Sequence, residues 1–129
     1  MMNIEDWAQF INKKPDITIK RIAKDRKIPL PTFYAKWDGK YSPKKFLTIL
    51  RLTKALKLLS FNHSKIKDIS WELRFCDHFY FCKWFKKLTG ISPKRFQLKY
   101  GYYFRTAQYS KIKLKNFDIN LILWALKII

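Results

Sequence analysis

The sequence predicts an all-α fold: two similar short helical units joined by one long helix and followed by an apolar C-terminal helix. Apolar residues recur every three to four positions, which places them on one face of a helix. Only 3 glycines and 5 prolines occur in 129 residues, which disfavours a turn-rich β fold. The chain also repeats itself, because I-K-R-I-A-K-D-R-K-I-P-L-P-T-F-Y-A-K-W at 19–37 is similar to I-K-D-I-S-W-E-L-R-F-C-D-H-F-Y-F-C-K-W at 66–84.

Helix boundaries in the first third of the chain follow from capping residues and prolines. A polar side chain that can accept a backbone hydrogen bond precedes a helix start, and proline or glycine marks a break. Asn3 and Thr18 are such caps. These signals predict helices at about 4–12, 19–23 and 31–37, separated by Pro15 and a turn at 27–29 and ended by Asp38-Gly39. The second and third of these helices form the first unit, about 17–38.

A long amphipathic helix connects the two units. Its apolar residues recur at helical spacing over about 44–59, as in Phe46, Ile49, Leu50, Leu56 and Leu59. The second unit, about 65–88, repeats the first with a helix at 65–73, a turn at 74–76 and a helix at 77–88. Gly90 then ends this helix, and Pro93 begins a short final helix around Phe96.

Charge and length restrict the classes of function. The 28 Lys and Arg against 9 Asp and Glu give a net charge of +19, which indicates a polyanionic partner: DNA, RNA or an anionic membrane surface. The sequence has no phosphate-binding glycine loop and no serine nucleophile elbow, so we expect neither enzymatic activity nor a cofactor. No secretory signal opens the chain, and its longest apolar run is far shorter than the ~20 residues that span a bilayer, which predicts a cytoplasmic protein.

One known pattern fits residues 66–96 without a gap. The segment resembles the second helix-turn-helix of AraC/XylS-type transcription regulators, whose pattern is roughly I-x-x-I-A-x-x-x-G-F-x-x-x-x-Y-F-x-x-x-F-K-x-x-x-G-x-S/T-P-x-x-Y/F. The matching residues are Ile66, Ile69, Phe75, Tyr80, Phe81, Phe85, Lys86, Gly90, Ser92, Pro93 and Phe96. The long helix is also similar to the family's S-P-x-x-Y…R-L-x-x-A-x-x-L-L, through Ser42, Pro43, Phe46, Arg51, Leu52, Ala55, Leu58 and Leu59.

The resemblance implies a bundle of seven short helices in a DNA-binding domain over 1–98. Each helix-turn-helix unit would insert one recognition helix into adjacent major-groove segments of double-stranded DNA. The implied base-reading positions are His78, Phe79, Cys82 and Lys83 in the second unit and Pro31, Thr32, Tyr34 and Ala35 in the first. The expected phosphate contacts are Lys86, Lys87, Arg51 and Lys36.

Chemistry supports this assignment in part. Lys83 can donate to guanine, His78 can donate or accept at a base edge, and Phe79 and Tyr34 can contact a thymine methyl group. Arg74 stands where the family has a turn glycine, and Phe79 stands in place of a small polar residue. The loop after Trp37 is also two residues shorter than usual. Because the first unit offers few side chains for bidentate base contacts, we expect it to position the protein while the second unit reads sequence.

Most aromatic residues are predicted to be core residues rather than base-stacking platforms. These are Trp7, Trp37, Phe46, Phe75, Tyr80, Phe81 and Phe85, whereas the pattern requires no aromatic at Trp71 or Trp84. Cys76, His78 and Cys82 lack the spacing of a zinc module, so no metal site is expected. The two cysteines are assigned to different faces of one helix, which disfavours a disulfide. A redox-sensing Cys82 is an alternative, since the neighbouring lysines would lower its thiol pKa.

The C-terminal part, 99–129, lies outside the resemblance. Residues 101–115 are basic and aromatic and either extend the DNA-facing surface or are solvated. Residues 116–129 are apolar almost all round, so they pack on the domain, form a homodimer through 117–129, or lie on a membrane.

Three functions therefore remain open. The first is a nucleoid-associated, sequence-specific regulator without room for a small-molecule effector domain, acting through RNA polymerase contact or steric block. The second is an architectural nucleic-acid binder of low specificity. The third is a basic membrane-surface or protein-interaction module acting through its apolar tail.

Overall fold

The computed structural model of the chain describes residues 4–39, 41–61 and 65–115 together with positions 120, 122, 123 and 126. These residues form helices and no strand, which confirms the predicted all-α class. Helix boundaries agree with the predicted ones to within two residues. In chain order the elements are α1 Ile4–Lys13, α2 Ile19–Asp25, α3 Leu30–Ala35, α4 Pro43–Phe61, α5 Ile66–Glu72, α6 His78–Thr89, α7 Pro93–Lys99, α8 Gly101–Arg105 and a 3-10 helix at Tyr109–Lys111.

Two hydrophobic cores are built on the single helix α4. The N-terminal half of α4 contributes Leu47 and Leu50 to a core shared with α1, α2 and α3, where Ile22 and Phe33 are fully buried. Its C-terminal half contributes residues such as Leu56 to a larger core around Phe81. Both units therefore bury apolar surface against one rigid element, which fixes their relative position.

The two units end their first helix with the same turn. In the first unit the backbone N–H groups of Lys27 and Ile28 donate to the carbonyls of Lys24 and Ala23 at 3.0 and 2.9 Å. In the second unit the equivalent N–H groups, of residues 74 and 75, donate to the carbonyls of residues 71 and 70, both at 3.0 Å. This is the Schellman pattern, which needs a left-handed residue after the cap. Lys27 and Arg74 supply it at φ of 55° and 66°, so Arg74 keeps the turn shape without glycine.

The connection from that turn to the recognition helix is one residue longer in the second unit. Pro29 directly follows Ile28 and precedes α3, whereas both Cys76 and Asp77 separate Phe75 from α6. As a result Phe33 and Phe81, each the fourth residue of its helix, are the structural counterparts. Both are fully buried.

This register overturns one predicted core residue. The sequence pattern predicts a buried Tyr80, but this residue is 58% exposed, because Phe81 occupies the core position one residue later. The Tyr80 ring contacts only the rim of the core, with its centroid 5.8 Å from that of Phe75. The other aromatics assigned to the core are buried or partly buried against it, which confirms that part of the prediction.

Helix α8 adds to the fold an element that the sequence did not predict. A Cβ at Gly101 would lie 3.8 Å from Cα of Ser60, an ordinary contact distance, so α8 packs directly against the end of α4. A terminal nitrogen of Arg105 donates to the Ser60 carbonyl at 2.8 Å, satisfying an acceptor near the end of α4. Phe104 is 1% exposed, and Ile112 is buried in the same core. The interpretation of 101–115 as a merely solvated strip is therefore wrong.

Part of the apolar tail also packs on the second core. Ile122 is fully buried there, Leu126 is partly buried against it, and both are helical. Packing on the domain, one of the three predicted arrangements of 116–129, is what these two residues adopt. The remaining tail positions, the predicted Asn3 cap and the connection at 62–64 lie outside the described residues.

Candidate nucleic-acid interface

The first recognition helix, α3, turns one side chain inward and the others outward. Phe33 is fully buried and anchors the helix on the first core. Around it Pro31, Tyr34 and Ala35 are exposed and Thr32 is partly exposed. All four predicted reading positions of this unit are therefore accessible to a partner.

The second recognition helix, α6, begins at a well-formed cap. Oδ1 of Asp77 accepts from the backbone N–H of Tyr80 at 2.8 Å, which satisfies a donor that the helix leaves unpaired. Phe81 and Phe85 bury the inner face of the helix. The cap and the buried face together fix the direction in which the outer face points.

The four predicted reading residues of α6 share that outer face. His78 and Cys82 are one helical turn apart, as are Phe79 and Lys83, so the pairs lie side by side. Phe79 and Lys83 are exposed, and His78 and Cys82 are partly exposed. The face is more aromatic than polar, since the rings of His78 and Phe79 lie 4.1 Å apart and Phe79 is 68% exposed.

The structural register identifies an accessible residue that sequence comparison missed. Counted from the helix start, His78 corresponds to Leu30, and Phe79 corresponds to Pro31. Leu30 is 36% exposed at the beginning of α3. An alignment of the two repeats without a gap pairs His78 with Pro31. The structure shows one extra residue before α6, which shifts the pairing by one and brings Leu30 opposite His78. Trp71 of α5 is also exposed and is not part of any predicted contact.

Three of the predicted phosphate contacts are accessible side chains. Lys36 follows α3 directly, and Lys86 and Lys87 lie in the last turn of α6. All three are exposed. A cation near a helix C-terminus is favoured by the helix dipole, so Lys86 and Lys87 are held there without needing a carboxylate partner.

Arg51, the fourth predicted phosphate contact, lies in the seam between α4 and the second unit. One terminal nitrogen donates to the Leu73 carbonyl at 2.7 Å, at the end of α5. The guanidinium carbon lies 3.8 Å from the centre of the Phe75 ring and 5.6 Å from that of Trp84. Burial lowers the pKa of Arg51, while the charges of Asp16 and Tyr80 oppose that shift. The geometry gives Arg51 a structural contact, and its phosphate contact stays a prediction.

A cleft of about 420 Å³ separates the two recognition helices. Tyr34 lines it from α3 and Trp84 from α6. Its floor is the α4 surface that carries Lys44, Thr48 and Arg51. Each predicted recognition helix thus contributes one aromatic side chain to a cleft whose floor is α4.

Cys82 is less reactive than the redox alternative requires. Burial raises the pKa of its thiol, so the neighbouring lysines do not produce a low-pKa thiolate. Both cysteines are free, as predicted. In the described part of the chain no three His, Cys, Asp or Glu residues gather in a metal-binding arrangement. Among the same residues, no helix has the length and apolar character needed to cross a bilayer.

Comparison with known proteins gives one match. The model of a family described as a helix-turn-helix domain, of the AraC type, matches residues 35–99, just over half of the chain. The matched range contains α4, α5, α6 and α7 and begins at Ala35, the last residue of α3. No curated protein and no solved structure matches the chain.

Proposed function

Because this chain belongs to the AraC/XylS-type helix-turn-helix family of DNA-binding transcription regulators, we propose that it binds a specific, bipartite site on double-stranded DNA. In this proposal α3 and α6 enter adjacent major-groove segments on one face of the duplex. Occupancy of such a site near a promoter would act by contact with RNA polymerase or by steric block.

The observation that carries the proposal is the geometric match between the two units. Each ends its first helix with the same pair of backbone hydrogen bonds, and each buries a phenylalanine at the fourth position of its second helix. The family model covers α4 and the second unit but leaves most of the first unit outside its range, so this match is what supports a reading role for the first. Both units also bury against α4, which would hold their spacing constant.

Side-chain chemistry favours an unequal division of work. In α6, Lys83 can donate to guanine and His78 can donate or accept at a base edge. In α3, the exposed Pro31, Ala35 and Leu30 offer no polar side-chain group, and Thr32 and Tyr34 offer one hydroxyl each. The first unit therefore positions the protein, and the second reads most of the sequence. We add Leu30 to the candidate contacts of the first unit.

Selection of bound DNA from a random pool at about 150 mM salt tests this function, because that salt weakens purely electrostatic binding. We expect an enriched site with two short elements about one helical turn apart. The specific site should bind ~10³-fold or more tightly than unrelated DNA. Base substitutions should weaken binding more in the element contacted by α6.

The variant Lys83→Ala, with Lys20→Ala as its matched control, tests whether α6 reads the bases of the selected site. Each removes one exposed lysine, from α6 and from α2. If Lys83→Ala loses its base preference and Lys20→Ala keeps it, the result supports base reading by α6. Tight binding at low salt without any enriched sequence would instead identify an architectural binder of low specificity.

A further inference from the structure

A second cleft lies on the seam between the two helix-turn-helix units. It has a volume of about 340 Å³ and opens where the end of α1 and one side of α2 meet the α5–α6 turn. Four cationic side chains line it, namely Lys13, Lys14, Arg21 and Arg74. No predicted base or phosphate contact lies in this cleft, so the DNA-reading function does not account for it.

The described residues neutralise only part of the charge in this cleft. Nε of Arg21 lies 3.2 Å from Oδ1 of Asp25, the one carboxylate among the described residues that line it. Among the described residues, no ion pair connects Lys13, Lys14 or Arg74 to a carboxylate. Cations held near one another raise the free energy of the folded state, and a bound anion would lower it.

Arg74 reaches the cleft from a conformation that ordinarily favours glycine. Its φ of 66° is in the left-handed region, which is unfavourable for a residue with a Cβ. Lys27 has the same conformation in the first unit, at φ of 55°, but does not line the cleft. Arg74 and Lys27 therefore share the same backbone cost, but only Arg74 adds a charge to the cleft. A comparison of the two residues separates these effects.

We propose that this cleft binds phosphate groups at the seam of the two units. Arg74 and Arg21 present planar guanidinium groups that match phosphate oxygens, and Lys13 and Lys14 add compact charges. The partly buried Phe10 and the buried Ile17 form an apolar wall, which keeps water from one side of a bound phosphate. The volume falls within the range that small-molecule sites occupy.

The phosphate has two chemical sources, which experiment separates. One is a soluble phosphorylated compound, which would bridge side chains of the two units without changing their fixed arrangement. The other is the DNA backbone, and this source rests on the proposed function. A test with a free phosphate probe remains valid even if the protein does not bind DNA.

The first measurement is calorimetric titration of the full chain with inorganic triphosphate at about 150 mM salt. Two variants are compared, Arg74→Gly and its matched control Lys27→Gly. Each removes one cation and one strained residue, so each should raise Tm by a few degrees. We expect Arg74→Gly to bind triphosphate at least about fivefold more weakly than Lys27→Gly.

The second measurement is the salt dependence of DNA binding by the same two variants. If the cleft holds a backbone phosphate, Arg74→Gly lowers the slope of log affinity against log salt by about one, and Lys27→Gly does not. An unchanged slope together with weaker triphosphate binding assigns the cleft to a soluble ligand.

Net charge is controlled by two triple variants of equal charge. The first, Lys13→Gln, Lys14→Gln and Arg74→Gln, removes three of the four cationic side chains that line the cleft. The second, Lys94→Gln, Arg95→Gln and Lys113→Gln, removes three exposed cations elsewhere. Equal triphosphate affinity and equal salt slopes within each matched set would overturn the proposal, since the protein's overall charge would then explain all binding.

Discussion

At the residue scale, Arg51 was predicted to contact phosphate at the surface, but its side chain makes contacts within the protein. Its guanidinium donates to the Leu73 carbonyl and stacks on Phe75, so it joins the linker helix to the turn that precedes α6. A planar guanidinium can stack flat on a ring while an in-plane N–H donates to a carbonyl, whereas the compact ammonium of lysine has no flat face to stack. The orientation of the second recognition helix therefore depends on the shape of this side chain as well as on its charge.

Arg51→Lys tests that dependence. Loss of the stacked guanidinium and its hydrogen bond should lower the free energy of unfolding by about 1–3 kcal/mol, although the charge is kept. Specific DNA affinity should fall as well, because α6 is less firmly held. Urea denaturation measures the first effect, with the exposed Lys44→Ala as control. An Arg51→Lys variant as stable as the parent protein would rule out a role for the planar group.

The two cysteines should differ in reactivity. Burial raises the pKa of Cys82, so at a given pH less of it is thiolate, the reactive form. Cys76 is exposed. We expect iodoacetamide to modify Cys76 first near pH 8, and the Cys82 rate to rise only at higher pH. Peptide mass spectrometry follows both sites, and faster modification of Cys82 in the native protein would contradict this assignment.

At the scale of elements, α8 completes the second core. Phe104 packs on Phe96 with ring centroids 6.2 Å apart and on Tyr109 at 5.6 Å. The chain leaves α8 through a third Schellman turn, in which Ala107 has φ of 59° and the Gln108 N–H donates to the Tyr103 carbonyl at 2.8 Å. This turn directs the following residues back across the domain, where the backbone N–H of Lys115 donates to the Thr89 carbonyl at 3.3 Å.

Substitutions at two aromatic residues of α8 should separate core from surface. Phe104→Ala removes a ring that is 1% exposed and should lower the free energy of unfolding by about 3–5 kcal/mol. Tyr102→Ala, at 58% exposure on the same helix, should cost less than about 1 kcal/mol. Chemical denaturation gives both values. If Phe104→Ala does not fold, Phe104→Leu provides a smaller loss, and equal losses at 104 and 102 would refute the core assignment of α8.

At the scale of the whole molecule, α4 decides how the two units cooperate. One helix contributes apolar residues to both cores, so neither unit can rotate without breaking contacts on the other side. The 420 Å³ cleft between the recognition helices is framed by these fixed elements. In the proposed complex, a rigid spacing of the two helices would require a fixed spacing of the two DNA elements.

Insertion of about five base pairs between the two DNA elements tests this rigidity, because it rotates them by roughly half a helical turn. We expect specific affinity to fall to that of a single element, and insertion of a full turn not to restore it. Electrophoretic mobility shift at constant salt measures both, with the parental site as the reference. Unchanged affinity would mean that the units move independently.

The sequence by itself determined the all-α class, the boundaries of α1 to α6, the repeated unit and the family. Local signals are enough for these properties: apolar spacing, capping residues, prolines, and a motif whose residues are near one another in the chain. Ile66, Phe75, Phe85 and Gly90 identify the second unit in this way, because their order and spacing lie within one short segment of the chain.

Only the tertiary structure decided the roles that depend on distant contacts. The added residue before α6 exposes Tyr80 and makes Leu30 the counterpart of His78. Arg51 is held by Leu73 and Phe75, and Arg105 by Ser60, more than twenty residues away in each case. The packing of the helices decides which side chains of this basic, aromatic chain are buried and which are exposed. No local sequence pattern contains that information.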